Sequence, residues 1–422
     1  MLYRMNSRFK AWEIIYKVIV ENQFSNKLLN NLAKQKAMSS SDIAFIFKLV
    51  YGTIQYKIYL EYVVNKIIDA SKTNMKIQIL LWMVLYQMKF LNQPDYSIVN
   101  ESVEAAKLID KNSSGFVNAI SKQLLNQQLW IVDIKNKQNI FPLKNGFPFW
   151  LFQQIKNDYG IEIANQIVLS SNQDKRISFR VNETKISKQE LYLKYKDDYQ
   201  LEESKIASNC LIANKNIIAS DLITQGLIYI QDETSILAVE QLNLKSNTNI
   251  LDLCCAPGGK LSYMCAIVDK NTIIDANEIN NSKEKIILEN LNRLDLKNFN
   301  LYFGDGIKFN SQKKYDSIML DAPCSGYGVL KRKPEIKLKK YSNEEVEQLL
   351  LTQEKLLDNA ASLLNAEGSI LYSTCTVNKK ENQDQIQKFL TRHNTFRIIF
   401  EKQFFGFEGN NNGFYICKIK KF

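Results

Sequence analysis

The stretch NILDLCCAPGGK (249–260) decides the fold, because an apolar run ending in an acid gives way there to a loop with paired glycines. Working outward, the same strand, loop and helix pattern recurs. NTIIDANE (271–278) reads as a second strand and SKEKIILENLNRL as the helix behind it. NFNLYFGD (298–305), YDSIMLDAP (315–323) and GSILYSTC (368–375) read as three more strands. A long helix opening with the capping box Ser342-x-x-Glu345 stands before the last of them. This alternation predicts an α/β Rossmann-like domain, a doubly wound sheet parallel over these five strands. FRIIF and GFYICKIKK then close the sheet edge as a hairpin.

In such a sheet ligands bind in the loops at the carboxyl ends of the strands. The 254–260 loop lacks G-x-G-x-x-G and G-x-x-x-x-G-K-[ST], which argues against a dinucleotide and a P-loop nucleotide. Gly258 and Gly259 let the backbone approach a ligand closely. Glu278 ends the second strand, where an acid accepts hydrogen bonds from ribose hydroxyls, and Asp305 ends the third. Three such loops in series predict S-adenosylmethionine. Asp321-Ala-Pro-Cys324 and Ser373-Thr374-Cys375 end the fourth and fifth strands, which are neighbours in this fold, so both thiols emerge beside the cofactor loop. Their setting among Ser, Thr, Gly and Pro at strand ends predicts chemistry, whereas Cys210, Cys265 and Cys417 read as packing residues. With 7 Cys, 1 His and no C-x-x-C pair, neither a metal site nor a disulfide framework is expected. His393 follows a helix and reads as a surface residue, not a general base.

Residues 1–130 read as all helix, with Phe9, Trp12, Ile15, Tyr16 and Ile19 forming one apolar stripe. Ser41-Asp42 and Ser113 or Ser114 are the expected helix caps. Residues 131–240 read as a linker and mixed α+β subdomain, with Pro142 and Pro148 flanking the linker and strands at RISFRVN (176–182) and LIYIQDE (227–233). Residues 241–422 are the catalytic domain. The 422-residue chain carries 55 Lys+Arg against 44 Asp+Glu, a net +11 that points to a polyanionic partner. Only 8 of the 55 are Arg, so a biased codon usage explains part of the excess. KRKPEIKLKK (331–340) and Arg180 are the candidate RNA contacts. The run at 79–88 is too short to span a membrane, and the charged start predicts a cytoplasmic chain.

LDLCCAPGGK, LDAPCSGYG and YSTCT resemble the signature segments of the Sun family of RNA cytosine-C5 methyltransferases, and the likeness extends over residues 176–422. The segment 1–130 is similar to the NusB-like RNA-binding bundle fused to one bacterial member, which acts on 16S rRNA. QDETS (231–235), NLNRL, KRKPEIK and GFYICK are similar to the same member. The resemblance implies that Cys375 is the nucleophile and that Cys324 assists release of the methylated RNA. It implies that Cys254, Cys255, Ala256, Pro257, Gly258, Gly259 and Lys260, with Glu278, Asp305 and Asp321, hold S-adenosylmethionine. The implied partner is 16S rRNA or the assembling small ribosomal subunit, bound by a monomer without metal. Cys255, Glu278 and Leu338 depart from residues common in the family, Ala, Asp and Trp. The alternatives are a tRNA or DNA cytosine methyltransferase and a ribosome assembly factor without activity. Of these, the Thr374-Cys375 motif disfavours the DNA enzyme, and the intact cysteines and glycine loop disfavour the inactive factor.

Overall fold

The computed structural model describes residues 7–35, 38–174, 176–218 and 220–422; the first six residues of the charged start lie outside them. The chain divides into two compact units, Met1–Gln173 with Leu330–Lys340, and Asp174–Val329 with Tyr341–Phe422.

The first unit is helical. Its helices Ser7–Val20, Ser25–Lys34, Ser40–Val64, Met75–Phe90, Asp95–Ile109 and Ser114–Leu124 share one core. Met75–Phe90 is buried from Ile77 through Gln87, which explains why its sequence is apolar all round rather than striped. Two expected caps move. Ser39, not Ser41-Asp42, accepts the Asp42 amide at the start of its helix. Ser113 makes no capping bond, because it ends a 3-10 turn and donates its hydroxyl to Asp110 instead. The expected linker between Pro142 and Pro148 opens on a short helix, Ile140–Lys144.

The segment 331–340 is a solvated face only in part: Lys331, Arg332 and Lys333 are half-buried, Lys339 and Lys340 are exposed, and Lys337 is buried. Pro334, Ile336 and Leu338 alternate with its charges, and it folds as a 3-10 turn, Pro334–Leu338, within the helical unit. Glu335 accepts the Ser25 amide and hydroxyl at 3.1 and 2.9 Å, Lys333 lies over the Phe24 ring, and Leu338 packs on the helical core. Lys337 is 1% exposed, its ammonium 5.7 Å from the Phe147 ring centroid and without a hydrogen-bond partner. Only Lys339 and Lys340 of the run are exposed.

In the second unit, a four-stranded antiparallel sheet of order β2-β3-β1-β4 comes first, from β1 (Ile177–Val181), β2 (Leu201–Glu203), β3 (Cys210–Ala213) and β4 (Ile228–Ile230). Then β5 (Ile250–Asp252), β6 (Ile274–Glu278), β7 (Phe299–Phe303), β8 (Tyr315–Asp321), β9 (Leu364–Thr374), β10 (Phe396–Phe405) and β11 (Gly413–Lys421) form a seven-stranded sheet ordered β10-β11-β9-β8-β5-β6-β7. The five predicted strands are its parallel members, and β10 and β11 are the predicted antiparallel hairpin at the edge. Successive residues of a strand point to opposite faces. Ile250, Met319, Leu371 and Ile416 accordingly pack under helices Glu233–Leu242, Gly259–Ile267 and Glu284–Arg293. Their neighbours Leu251, Ile318, Ile370 and Cys417 pack under Asn343–Leu363 and Gln383–Arg392. Burial on both faces is why these strands read as continuous apolar runs.

Burial lowers the Lys337 pKa to about 7. The unfolded lysine keeps its proton to about pH 10.4, so between these values the unfolded chain binds more protons and stability rises with pH. Unfolding followed from pH 7 to 10 should show a gain of up to about 4 kcal/mol in the helical unit, which Lys337→Met abolishes.

Candidate active site

The parallel register sets β8 between β5 and β9, and the loops after these three strands meet at one end of the sheet. Ala322 continues the ladder by donating to the Ser373 carbonyl, so the two cysteine segments leave side by side. Cys324 Sγ and Cys375 Sγ lie 3.2 Å apart. The Gly328 amide donates to the Cys375 carbonyl, and the Gly413 amide to the Gly328 carbonyl. A Cβ on Gly328 would stand 1.9 Å from the Gly413 oxygen, so this crossing admits only glycine.

Lys260, at the start of the helix behind the glycine loop, reaches back to Asp321 with Nζ 2.7 Å from Oδ2. The Ser373 hydroxyl donates to the other oxygen at 2.7 Å. Burial alone would lower the Lys260 pKa, but the Asp321 carboxylate more than offsets it and the net shift is upward. Lys260 stays an ammonium here. The Cys324 pKa is raised, first by its hydrogen bond with Cys375 and then by burial. Cys324 is therefore held as a thiol beside its partner.

The 253–260 loop is fixed by backbone. Leu253 donates to the Met319 carbonyl, Cys255 to Asn277, and Gly258 to Cys255. Gly258 has φ +94°, a conformation that side chains resist. Glu278 accepts from the Ala256 and Asn280 amides and pairs with Lys283 at 2.9 Å, and Asp305 caps its own turn at the Ile307 amide. Asn277, which sequence reading passed over, donates to the carbonyls of Leu253 and Gly304 and so ties the loops after β5 and β7 together. Asp252 is fully buried, and neither of its carboxylate oxygens has a hydrogen-bond partner of normal geometry. Four carboxylates, Asp252, Glu278, Asp305 and Asp321, thus stand at the ends of four neighbouring strands. Such a set suits a ligand with hydroxyl donors and positive charge, as S-adenosylmethionine is.

Arg180 is not a surface RNA contact. It is fully buried, donates to the Ser262 hydroxyl at 2.8 Å, and its guanidinium carbon lies 4.7 Å from the Tyr263 ring centroid. His393 is half-buried, stacked on Phe389 and 2.9 Å from Asp358. None of the seven cysteines is in a disulfide, and no cluster of three metal-ligating side chains occurs among the described residues. Nor does any described helix have the length and apolarity to cross a membrane.

Residues 239–419 match the 16S rRNA methyltransferase RsmB/F family, 5–125 the NusB family, and 147–217 the ferredoxin-like domain of the RsmF/B-like methyltransferases. The probable ribosomal RNA small subunit methyltransferase B of Bacillus subtilis (strain 168) is 30% identical over 97% of this chain and 98% of its own. The crystal structure of PH0851 superposes with a TM-score of 0.81 over 99% of this chain and 98% of its own, at 20% identity. NSun6 from Pyrococcus horikoshii, solved with SFG, superposes with a TM-score of 0.60 over 65% of this chain and 98% of its own, also at 20% identity. The structural likenesses establish the fold.

Burial drives the Asp252 pKa up to about 7, with Lys260 and the Cys254 amide offsetting only part of the effect. An unfolded aspartate loses its proton near pH 3.9. Between these values the folded chain binds more protons, so stability falls as pH rises from about 4 to about 7. Asp252→Asn should therefore stabilise the ligand-free protein at pH 8 by up to about 4 kcal/mol and leave it unchanged at pH 4, as read by denaturant melts.

Proposed function

The chain belongs to the family of small-subunit ribosomal RNA methyltransferases B, and on that premise we propose that it methylates C5 of one cytosine in 16S rRNA through a covalent bond between Cys375 and C6 of the base. The observation that carries this reading is the pair of thiols 3.2 Å apart, beside an ammonium–carboxylate pair at the ends of adjacent parallel strands.

C5 of cytosine is too poor in electrons to attack a methyl donor unaided. A thiolate that adds at C6 makes C5 carbanion-like and divides one hard step into easier ones. Cys375 is that nucleophile. Cys324, kept as a thiol, donates its S–H toward Cys375 Sγ and favours the anion there. Asp321 retains free lone pairs beyond its bonds to Lys260 and Ser373, and with these it accepts from the N4 amino group of the base. Lys260 supplies positive charge where addition leaves negative charge on the ring. S-adenosylmethionine, when bound, supplies an electrophilic methyl group on a sulfonium. Residues 254–260, Glu278 and Asp305 hold it against this end of the sheet. After methylation the C5 proton passes to the Cys324 sulfur, which has given its own proton to solvent once Cys375 is bonded to C6. The C5–H electron pair re-forms the C5–C6 double bond, and the C6–S bond breaks to return Cys375 as thiolate. Cys324 is the group placed to assist that release. The target base reaches the pocket unstacked from its helix. Residues 1–130, with 16 basic and 9 acidic side chains, and residues 131–240 bind the surrounding rRNA as a monomer in the cytoplasm.

Incubated with labelled methyl donor and deproteinised rRNA, tRNA and DNA, the protein should label 16S rRNA alone, as 5-methylcytosine. Label only in tRNA or DNA, or nowhere, overturns the reading. The two serine substitutions should differ in kind. Cys375→Ser abolishes methylation and any covalent complex, whereas Cys324→Ser accumulates a protein–RNA adduct that survives denaturing gels. An adduct with Cys375→Ser and none with Cys324→Ser reverses the roles.

A further inference from the structure

Behind the two thiols lies a buried carboxylate that no step above uses. We propose that Glu381 is a positioning residue for the thiol pair: it fastens the Cys324 loop to the Cys375 loop and sets the separation on which release of the methylated base depends. The catalytic consequence rests on the covalent reading; the geometric role does not.

Glu381 ends a short 3-10 turn, Lys379–Glu381, six residues past Cys375, and is 1% exposed. No cation pairs with it among the described residues. Four donors converge on it instead. Oε1 accepts the Ser325 hydroxyl at 2.5 Å and the Asn378 side-chain amide at 2.7 Å. Oε2 accepts the Ser325 backbone amide at 2.8 Å and the Gln353 amide at 3.1 Å. Gln353 also donates to the Pro323 carbonyl at 2.8 Å, so Glu381 controls the residues on both sides of Cys324.

The same carboxylate reaches the flanks of Cys375. Ser325 gives its hydroxyl proton to Glu381, so in its 2.8 Å contact with Thr376 Oγ1 it is the acceptor. Thr376 in turn accepts the Asn378 amide at 3.2 Å. Asn382, the next residue, bonds the hydroxyl of Thr374 and the carbonyl of Thr376. Only an ionised carboxylate presents four acceptor sites and no donor. Burying one is costly unless it is fully hydrogen-bonded. Its place between the two loops, rather than within either, makes the thiol separation the thing it holds.

Glu381→Gln keeps the volume, but whichever way the amide turns, its NH2 group faces two of the four donors. Phenylarsine oxide bridges two thiols only when they are adjacent, taking two S–H groups and releasing one water. Its capture by the Cys324–Cys375 pair, read as the difference from Cys324→Ser, should weaken about tenfold in Glu381→Gln. The denaturant-resistant RNA adduct should rise about tenfold as release slows, while affinity for S-adenosylmethionine stays within about twofold. A folded Glu381→Gln with unchanged arsenical capture and no added adduct overturns the proposal, even if its unfolding midpoint drops. Should that variant fail to fold, Ser325→Ala removes one donor and the link to Thr376, and must shift both readouts in the same direction; no shift overturns the proposal. If Cys324→Ser itself yields no adduct, the assignment of Cys375 as nucleophile and Cys324 as releasing thiol fails, and the arsenical measurement still decides whether Glu381 sets the spacing.

Discussion

Parallel pairing of β8 with β5 on one side and β9 on the other is the constraint from which the site follows. A parallel ladder points every strand the same way, so the segments leaving β5, β8 and β9 emerge at one edge without further guidance. The glycine loop, Asp321 and both thiols need only be the next residues in line. A one-residue slip of β8 against β9 would send their side chains to opposite faces. The register is held from both sides of the sheet, by Met319 and Leu371 in one core and by Ile318, Ile370 and Tyr372 in the other.

Charge in the site is arranged as two pairs and two exceptions. Lys260 neutralises Asp321, and Lys283 neutralises Glu278. Among the described residues Glu381 has no counter-ion and is met by dipoles alone. Asp252 has no hydrogen-bond partner of normal geometry, and Lys260 offsets only part of its burial, which is why its proton is held so late. Within the site the two acids without a paired cation are more buried than Asp321 and Glu278, and a salt bridge there would have to overcome a larger desolvation cost.

The five parallel strands and the closing hairpin were legible because burial on both faces leaves long apolar runs between loops. β2 and β3 were not, since three and four residues are too few to show a period. Cys324, Cys375 and the 254–260 loop stood out as chemically unusual residues at strand ends. Glu381, Asn277 and Gln353 did not: each has partners 24 to 56 residues away, and nothing in VNKKEN, in a strand or in a helix interior records those distances. The run 331–340 was legible only in part, for the opposite reason. Its charges are conspicuous in sequence, yet Pro334, Ile336 and Leu338 decide where it packs.

That run also fixes an order of events. The helical unit ends at Gln173, but one of its pieces, Leu330–Lys340, is encoded some 160 residues later. On a translating ribosome adding roughly 5–20 residues per second, the missing piece arrives on the order of ten to thirty seconds after the rest. Until then the pocket around Phe147 has no Lys337 stem to fill it, and the amide and hydroxyl of Ser25 lack Glu335. The amino-terminal module is first to be synthesised and yet cannot be first to finish folding.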